Sequence, residues 1–413
     1  MEIIKSMPIL LPKKNIDLSK WAVVACDQYT SEKAYWENLS KYVGDSYSTL
    51  NIVFPEVYLG HGDENRIAKI NDTMRSYIKD DIFDVFENCF VLVDRVTADG
   101  KRRLGLVIAV DLEEYDYSPS SNTRIKATEG TVIERIPPRV KIRKNALLEL
   151  PHVMLLMDDR EQKIIESLYE NKDKLEKLYD FDLNMNGGHI AGYKVDNVDE
   201  VINKIYGLLD KDYQRRIYGK ETSILFSVGD GNHSLATAKT HWDNVKRTLS
   251  EKERENHPAR YALCELVNLN GEGLDFEPIH RVVFGVTKSD VEKMQERFNE
   301  GASVEMVLDD ETYYIKANEN APKAIDEIQS HLDELVKEGK ASVDYVHGRQ
   351  NTLDVAKSEN GLAIFMPTIK KEELFSYIIE KGVLPRKSFS MGEANDKRYY
   401  LEAKYIVPNK EIK

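Results

Sequence analysis

The run Thr222-Ser223-Ile224-Leu225-Phe226-Ser227-Val228-Gly229-Asp230-Gly231-Asn232-His233-Ser234-Leu235-Ala236-Thr237-Ala238 changes character at its two glycines. Before them, Thr222 to Val228 is short, apolar and ended by a turn signal, which predicts a buried strand. After them, Asn232 to Leu249 carries Leu235, Ala236 and Ala238 for packing and predicts a helix, with Gly229-Asp230-Gly231 as the turn. A strand that feeds a helix through a glycine turn is an α/β unit. Such a turn frees backbone N–H groups at the helix start, where the helix dipole also favours an anion. Gly231 lets a phosphate approach the backbone, and Asn232, His233 and Ser234 offer side-chain donors in the first turn. Asp230 stands where a carboxylate can orient a hydroxyl or hold Mg²⁺. The plainer alternative is an ordinary capped turn, since Asp-Gly turns and Asn or Asp caps are common.

Two phosphate motifs do not fit. Gly229-x-Gly231-x-x-Ser234 has serine where a dinucleotide fingerprint has its third glycine or alanine, and the acidic residue expected about 20 positions on falls inside the helix. No GxxxxGK[ST] run occurs anywhere, so the chain is not a P-loop NTPase.

Toward the N-terminus the periodicity predicts a strand at Trp21 to Cys26, helices at Ser31 to Tyr42 and Glu64 to Ile78, and a hairpin of Cys89 to Val96 with Leu104 to Leu112 turned by Asp99-Gly100. Arg124 to Leu150, with Pro137-Pro138, reads as irregular. Then come strand His152 to Met157, helix Gln162 to Tyr179, strand His189 to Val195 and helix Val198 to Leu209. Beyond the turn, Tyr261 to Leu269 and Pro278 to Val286 are expected in the same core. After Gly285 the reading is helix Ser289 to Asn299, strand Thr312 to Lys316, helix Ala324 to Glu338, strands Ser342 to Val346 and Leu362 to Met366, and helix Lys371 to Lys381. Tyr399-Tyr400 is expected to pack in a final strand. The expected division is a main α/β region over 1–285 and a smaller α/β unit over 286–413.

The 413 residues carry 41% hydrophobic and 31% charged side chains and a formal charge of -13, an ordinary globular mix whose acidity argues against sequence-independent nucleic-acid binding. Cys26, Cys89 and Cys264 are too few and too far apart for a disulfide framework or a CxxC site. The start, Met1 to Pro8, lacks the apolar core of a signal peptide and no long apolar run follows, so the expectation is a cytoplasmic protein with no membrane partner. His233 and His241, eight residues apart on one helix, are separated by about 12 Å of rise, too far to share a metal, and HExxH is absent. Zinc, haem and flavin are not expected. Cys26, at the end of a buried strand, reads as inert core rather than a nucleophile.

Gly229-Asp230-Gly231-Asn232-His233-Ser234-Leu235-Ala236-Thr237-Ala238 resembles the ADGHHRYxAA signature of the family known as domain of unknown function 1015. Other landmarks follow in the same order. Ala25 to Ser31 resembles the family's PPYDVIS segment, Arg103 to Val110 with Tyr115 its RxGLIAAV…Y hairpin, and Thr128-Glu129-Gly130-Thr131 its HExT. His280-Arg281-Val282 is similar to its histidine-arginine pair, and Leu384-Pro385-Arg386-Lys387-Ser388 to its proline-lysine-serine motif. The DGHHR signature in turn resembles the GxHR turn of the ParB/sulfiredoxin superfamily, which binds nucleotide phosphates and includes a free-serine kinase. The resemblance implies a ParB/sulfiredoxin-like core with additional α/β units. Here the chain departs from it, because Ser234 replaces the arginine that would clamp phosphate; Arg281, Arg143 or Lys387 are the candidate substitutes.

Under this resemblance Asp230 is metal holder or general base, Glu129 a second candidate base and His233 a phosphate donor or acid. Gly229, Gly231, Asn232, His233, Ser234, Arg143, His280, Arg281 and Lys387 are the expected phosphate and nucleotide contacts. The run Arg139, Lys141, Arg143, Lys144 either neutralises phosphates or is a solvated face. The function expected is a nucleotide-dependent small-molecule phosphotransferase or nucleotide hydrolase using ATP, ADP or CTP with Mg²⁺ and acting on serine or phosphoserine. Two alternatives remain: a ParB-like nucleotide switch without turnover, and a non-catalytic metabolite-binding module. The sequence leaves the oligomeric state open.

Overall fold

Alternation decides the central sheet. In Phe90–Val96 and Arg102–Asp111, Val91, Val93, Val107 and Ala109 join one buried cluster, while Leu92, Leu106, Ile108 and Val110 join another. A period of two therefore buries both faces of the same strands. The structure is a computed structural model that describes residues 2–412. Contacts group the chain into two units, the first of Met1–Ala127, Thr131–Leu274 and Glu393–Lys413, the second of Thr128–Gly130 and Asp275–Gly392.

The first unit is built on a mixed sheet of ten strands. In spatial order they are Glu176–Leu183, Gly188–Val195, Phe90–Val96, Arg102–Asp111, Tyr261–Asn268, Met154–Met157, Phe226–Asp230, Ile125–Ala127 and Tyr115–Asp116, with Ile4–Lys5 alongside Arg102–Asp111. Phe226–Asp230 and Ile125–Ala127 run parallel, so both strands end at the same side of the sheet. One face packs Trp21, Trp36, Leu39 and Met74; the other packs Val201, Ile205, Leu235 and Trp242. The chain's last segment is woven into this unit, where Tyr399–Tyr400 pairs with Val23–Val24 and Lys404–Tyr405 with Leu148–Glu149. The second unit holds a six-stranded sheet in the order Glu311–Ala317, Ala302–Leu308, Leu362–Ile364, Glu277–Phe284 and Ser342–His347, with Phe389–Ser390 beside Glu277–Phe284. No helix among the described residues is long and apolar enough to cross a membrane.

The mixed α/β class stands, as do the hairpin and the helices Lys33–Val43, Asp63–Lys79 and Asn232–Val245. Three expectations are corrected. Pro278 to Val286 does not join the core of Tyr261 to Leu269; Glu277–Phe284 is hydrogen-bonded into the second unit's sheet. Gln162 to Tyr179 is not one helix, because Ile165–Glu170 gives way to the strand Glu176–Leu183. Hairpin packing wins there: Tyr179 lies so close over Gly192 that a Cβ on the glycine would come within 2.1 Å of its ring. Arg124 to Leu150 is not irregular throughout, since Ile136–Arg143 is a helix whose prolines occupy the first turn, where the missing N–H groups have no intrahelical acceptor to lose.

Candidate functional site

The predicted turn forms, and its geometry requires glycine. Gly231 caps the helix with φ +84°, and a Cβ there would stand 3.1 Å from both Cα and Cγ2 of Val153. Gly229 and Asp230 close the strand, and the Gly231 N–H donates to Asp230 Oδ1 at 2.9 Å. Asn232, His233 and Ser234 are partly exposed on the first helical turn, and Gly231 brings no side-chain cap to it. The Val132 N–H donates to His233 Nε2 at 3.3 Å, which makes Nε2 an acceptor and puts the proton of a neutral ring on Nδ1.

Asp230 is 3.2 Å from the ammonium of Lys397, which is itself largely buried. Burial alone would raise the Asp230 carboxyl, but Lys397, His152 and the Gly231 amide together hold it below the ordinary aspartate range. His152 belongs to a further polar chain in the same unit. Its Nδ1 is 2.8 Å from the Tyr400 hydroxyl and its Nε2 3.6 Å from Asp27 Oδ2, while the Tyr400 hydroxyl is 3.0 Å from Cys26 Sγ. Burial pushes the Cys26 thiol up, so it stays protonated and unreactive.

Three expected contacts, Arg143, Arg281 and His280, are engaged elsewhere. Arg143 is paired with Glu149, whose other oxygen accepts the Leu263 N–H at 2.7 Å. The rest of that cationic run is also largely spoken for, Arg139 by Glu56 and Lys141 by Glu64. In the second unit Arg281 is fully buried and donates to Gln329 Oε1 at 2.8 Å and to the carbonyls of Ile279, Lys387 and Arg386. His280 accepts the Met366 N–H at 3.2 Å, and burial lowers its ring to about 4, so it is neutral at pH 7. Lys387 is exposed with φ +58°, and the backbone N–H groups of Lys387 and Ser388 donate to Glu129. Burial nevertheless leaves the Glu129 carboxyl raised above the ordinary range, against the pull of those amides and of Lys387 and Arg281.

The structure thus gathers the glycine turn with Asp230 and His233 in the first unit, and Glu129 with His280, Arg281 and Lys387 in the second. Ile125–Ala127, the parallel neighbour of the Asp230 strand, ends two residues ahead of Glu129 in the chain. Lys397 and His152 escaped the sequence reading as site residues, while Asp27 and Tyr400 entered it only as parts of the Ala25 to Ser31 segment and the final strand. The signal for Lys397 is a polar-aromatic run, Asp396-Lys397-Arg398-Tyr399-Tyr400, whose partners lie far away in sequence. No cluster of three or more His, Cys, Asp or Glu side chains among the described residues is arranged to hold a metal. One ionised carboxylate is still a donor that Mg²⁺ accepts, because that ion fills its octahedron with phosphate oxygens and water.

Among solved structures, a free serine kinase in complex with AMP is 10% identical, with a TM-score of 0.39 over 74% of this chain and 93% of that one. SbnI with a C-terminal truncation, from Staphylococcus aureus, is 11% identical with a TM-score of 0.39, covering 74% and 89%. A conserved hypothetical protein from Pyrococcus furiosus is 10% identical with a TM-score of 0.37, covering 73% and 95%. No curated protein matches the sequence. The profile of the family described as "Protein of unknown function (DUF1015)" matches residues 10–335, most of the chain and all of the glycine turn, and the protein belongs to that family.

Proposed function

We propose that this protein is a nucleotide-dependent phosphotransferase that seats phosphates on the Gly231 to Ser234 helix start, with a ParB/sulfiredoxin-like turn as its phosphate cradle. The observation that carries the reading is the ionised carboxylate beside the glycine turn: Lys397 holds Asp230 below the ordinary aspartate range at the start of the Asn232–Val245 helix. Phosphoryl transfer to a hydroxyl uses such a carboxylate to hold Mg²⁺ or to orient the nucleophile. Asp230 supplies an oxygen donor of the kind Mg²⁺ takes. Asp230 therefore takes the metal-holding role. ATP, ADP or CTP is the donor and serine the acceptor, with phosphoserine the product, by this reading.

The test is phosphate transfer from each nucleotide to serine, with and without Mg²⁺, in the parent protein and in Asp230→Asn. The expected outcome is a rate at least about a hundredfold lower in the variant. An unchanged rate would remove Asp230 from the chemistry. Binding without any transfer or hydrolysis would instead favour a nucleotide switch.

A further inference from the structure

The short segment between the Ile125–Ala127 strand and the Ile136–Arg143 helix is built unlike the rest of the surface. Val132 and Ile133 are 41% and 56% exposed, and they are the only exposed large hydrophobics, among the described residues, that adjoin in sequence. Pro137 and Pro138 extend the exposed apolar strip, while Ile136 turns inward and is buried. Isolated apolar side chains on a surface need no explanation, but a contiguous strip does.

The strip is also held in place. Its Val132 N–H is bonded to His233 Nε2, so it is fastened to the first turn of the glycine-turn helix. Behind it, Arg139 is fixed by Glu56 and by the Arg135 carbonyl at 2.6 Å. At its root the Thr131 hydroxyl is buried without a hydrogen-bond partner. An apolar ledge tied through its backbone to a phosphate-binding turn has less freedom to lose on binding a flat apolar surface than an untethered loop.

We infer that Val132 and Ile133, with Pro137, form the ledge on which the base of the bound nucleotide rests. This rests on the phosphate reading of the turn and adds to it the group that lies beyond the phosphates. Aliphatic contacts grip a base by its faces rather than its edge, so the ledge provides affinity without selecting one base through hydrogen bonds.

The experiment compares ATP with inorganic tripolyphosphate by calorimetry, on the full chain and on the double variant Val132→Ser, Ile133→Ser. Both positions are exposed, so the variant is expected to melt where the parent does. The expected result is an ATP Kd raised about tenfold with the tripolyphosphate Kd unchanged, the scale set by removing two aliphatic side chains from a contact. Equal loss for both ligands, or no loss for ATP, would overturn the ledge while leaving the turn intact. A parent protein that binds tripolyphosphate as tightly as ATP would do the same. If the parent binds neither, the phosphate reading itself fails and the ledge with it. Dissociation of an oligomer by the double variant, without loss of ATP affinity, would reassign the strip to contact between copies.

Discussion

Arg398→Ala will destabilise the fold by about 3–5 kcal/mol, measured by urea unfolding at pH 7. Arg398 is buried with its guanidinium divided between two buried carboxylates, Glu265 and Glu402, and its Nε donates to the Pro151 carbonyl at 2.9 Å. The Tyr179 hydroxyl donates to Glu402 at 2.6 Å, while Arg103 approaches Glu265 only to 3.8 Å. Removing the guanidinium leaves two carboxylates away from water with too few donors, and the larger part of the cost is this stranded charge. The pH dependence gives a second signature. In the parent, Arg398 and Arg103 hold Glu265 below its ordinary range despite burial, so its contribution is present above the unfolded glutamate value and is lost as the pH falls through the folded one. In the variant, burial acts unopposed by Arg398 and raises that carboxyl, so lowering the pH relieves part of the defect. A loss below about 1 kcal/mol would show that water or rearrangement reaches the cluster.

Asp230→Asn will lower phosphate transfer at least about a hundredfold, on the scale of losing a group that acts in the transition state. Asparagine keeps the shape of the turn and can still accept the Gly231 N–H, but it cannot balance Lys397 or bind Mg²⁺ as an anion. The stability cost is expected at about 1–3 kcal/mol, because Lys397 is largely buried and loses its charged acceptor. The sign of the pH effect follows from the direction of the shift. Asp230 titrates below its ordinary value in the fold, so its stabilisation is complete above the unfolded aspartate value and disappears as the pH falls through the folded one. Parent and variant should therefore begin to converge in stability only below about pH 4, near the unfolded aspartate value, and meet only below the folded one. Activity unchanged in the variant would exclude Asp230 as metal holder and as base.

Local pattern made the turn legible. Phe226–Asp230 and Asn232–Val245 follow from an apolar run, two glycines and a change of period, all inside one stretch of chain. The allegiance of Glu277–Phe284 was not legible, because a strand buried on both faces reads the same in either sheet. The expected cut after Gly285 and the observed grouping differ for a related reason: Thr128–Gly130 and Glu393–Lys413 group with strands remote in sequence, and periodicity reports only neighbours. At the site, residue types were readable but pairings were not. The Arg139 to Lys144 run reads equally as a phosphate patch or a solvated face, and the sequence does not show that Glu56, Glu64 and Glu149 stand opposite three of its members. Arg281 looked like a spare cation, yet it pins the carbonyls of Arg386 and Lys387. Lys397, the cation actually beside Asp230, comes from a segment beyond the region that matches the family profile.

The central claim, phosphate on the Gly231 helix start, is tested most directly by thermal melts with ATP, ADP, CTP, serine and phosphoserine, singly and in pairs, with and without Mg²⁺. Selective binding to the native state raises the melting temperature by mass action. Gly231→Val is the control, because its side chain would have to take a left-handed backbone and crowd Val153, closing the approach to the helix N–H groups. The account predicts a nucleotide-dependent rise in melting temperature in the parent that is absent in a folded Gly231→Val protein. No rise with any nucleotide, or an equal rise in both proteins, would contradict it.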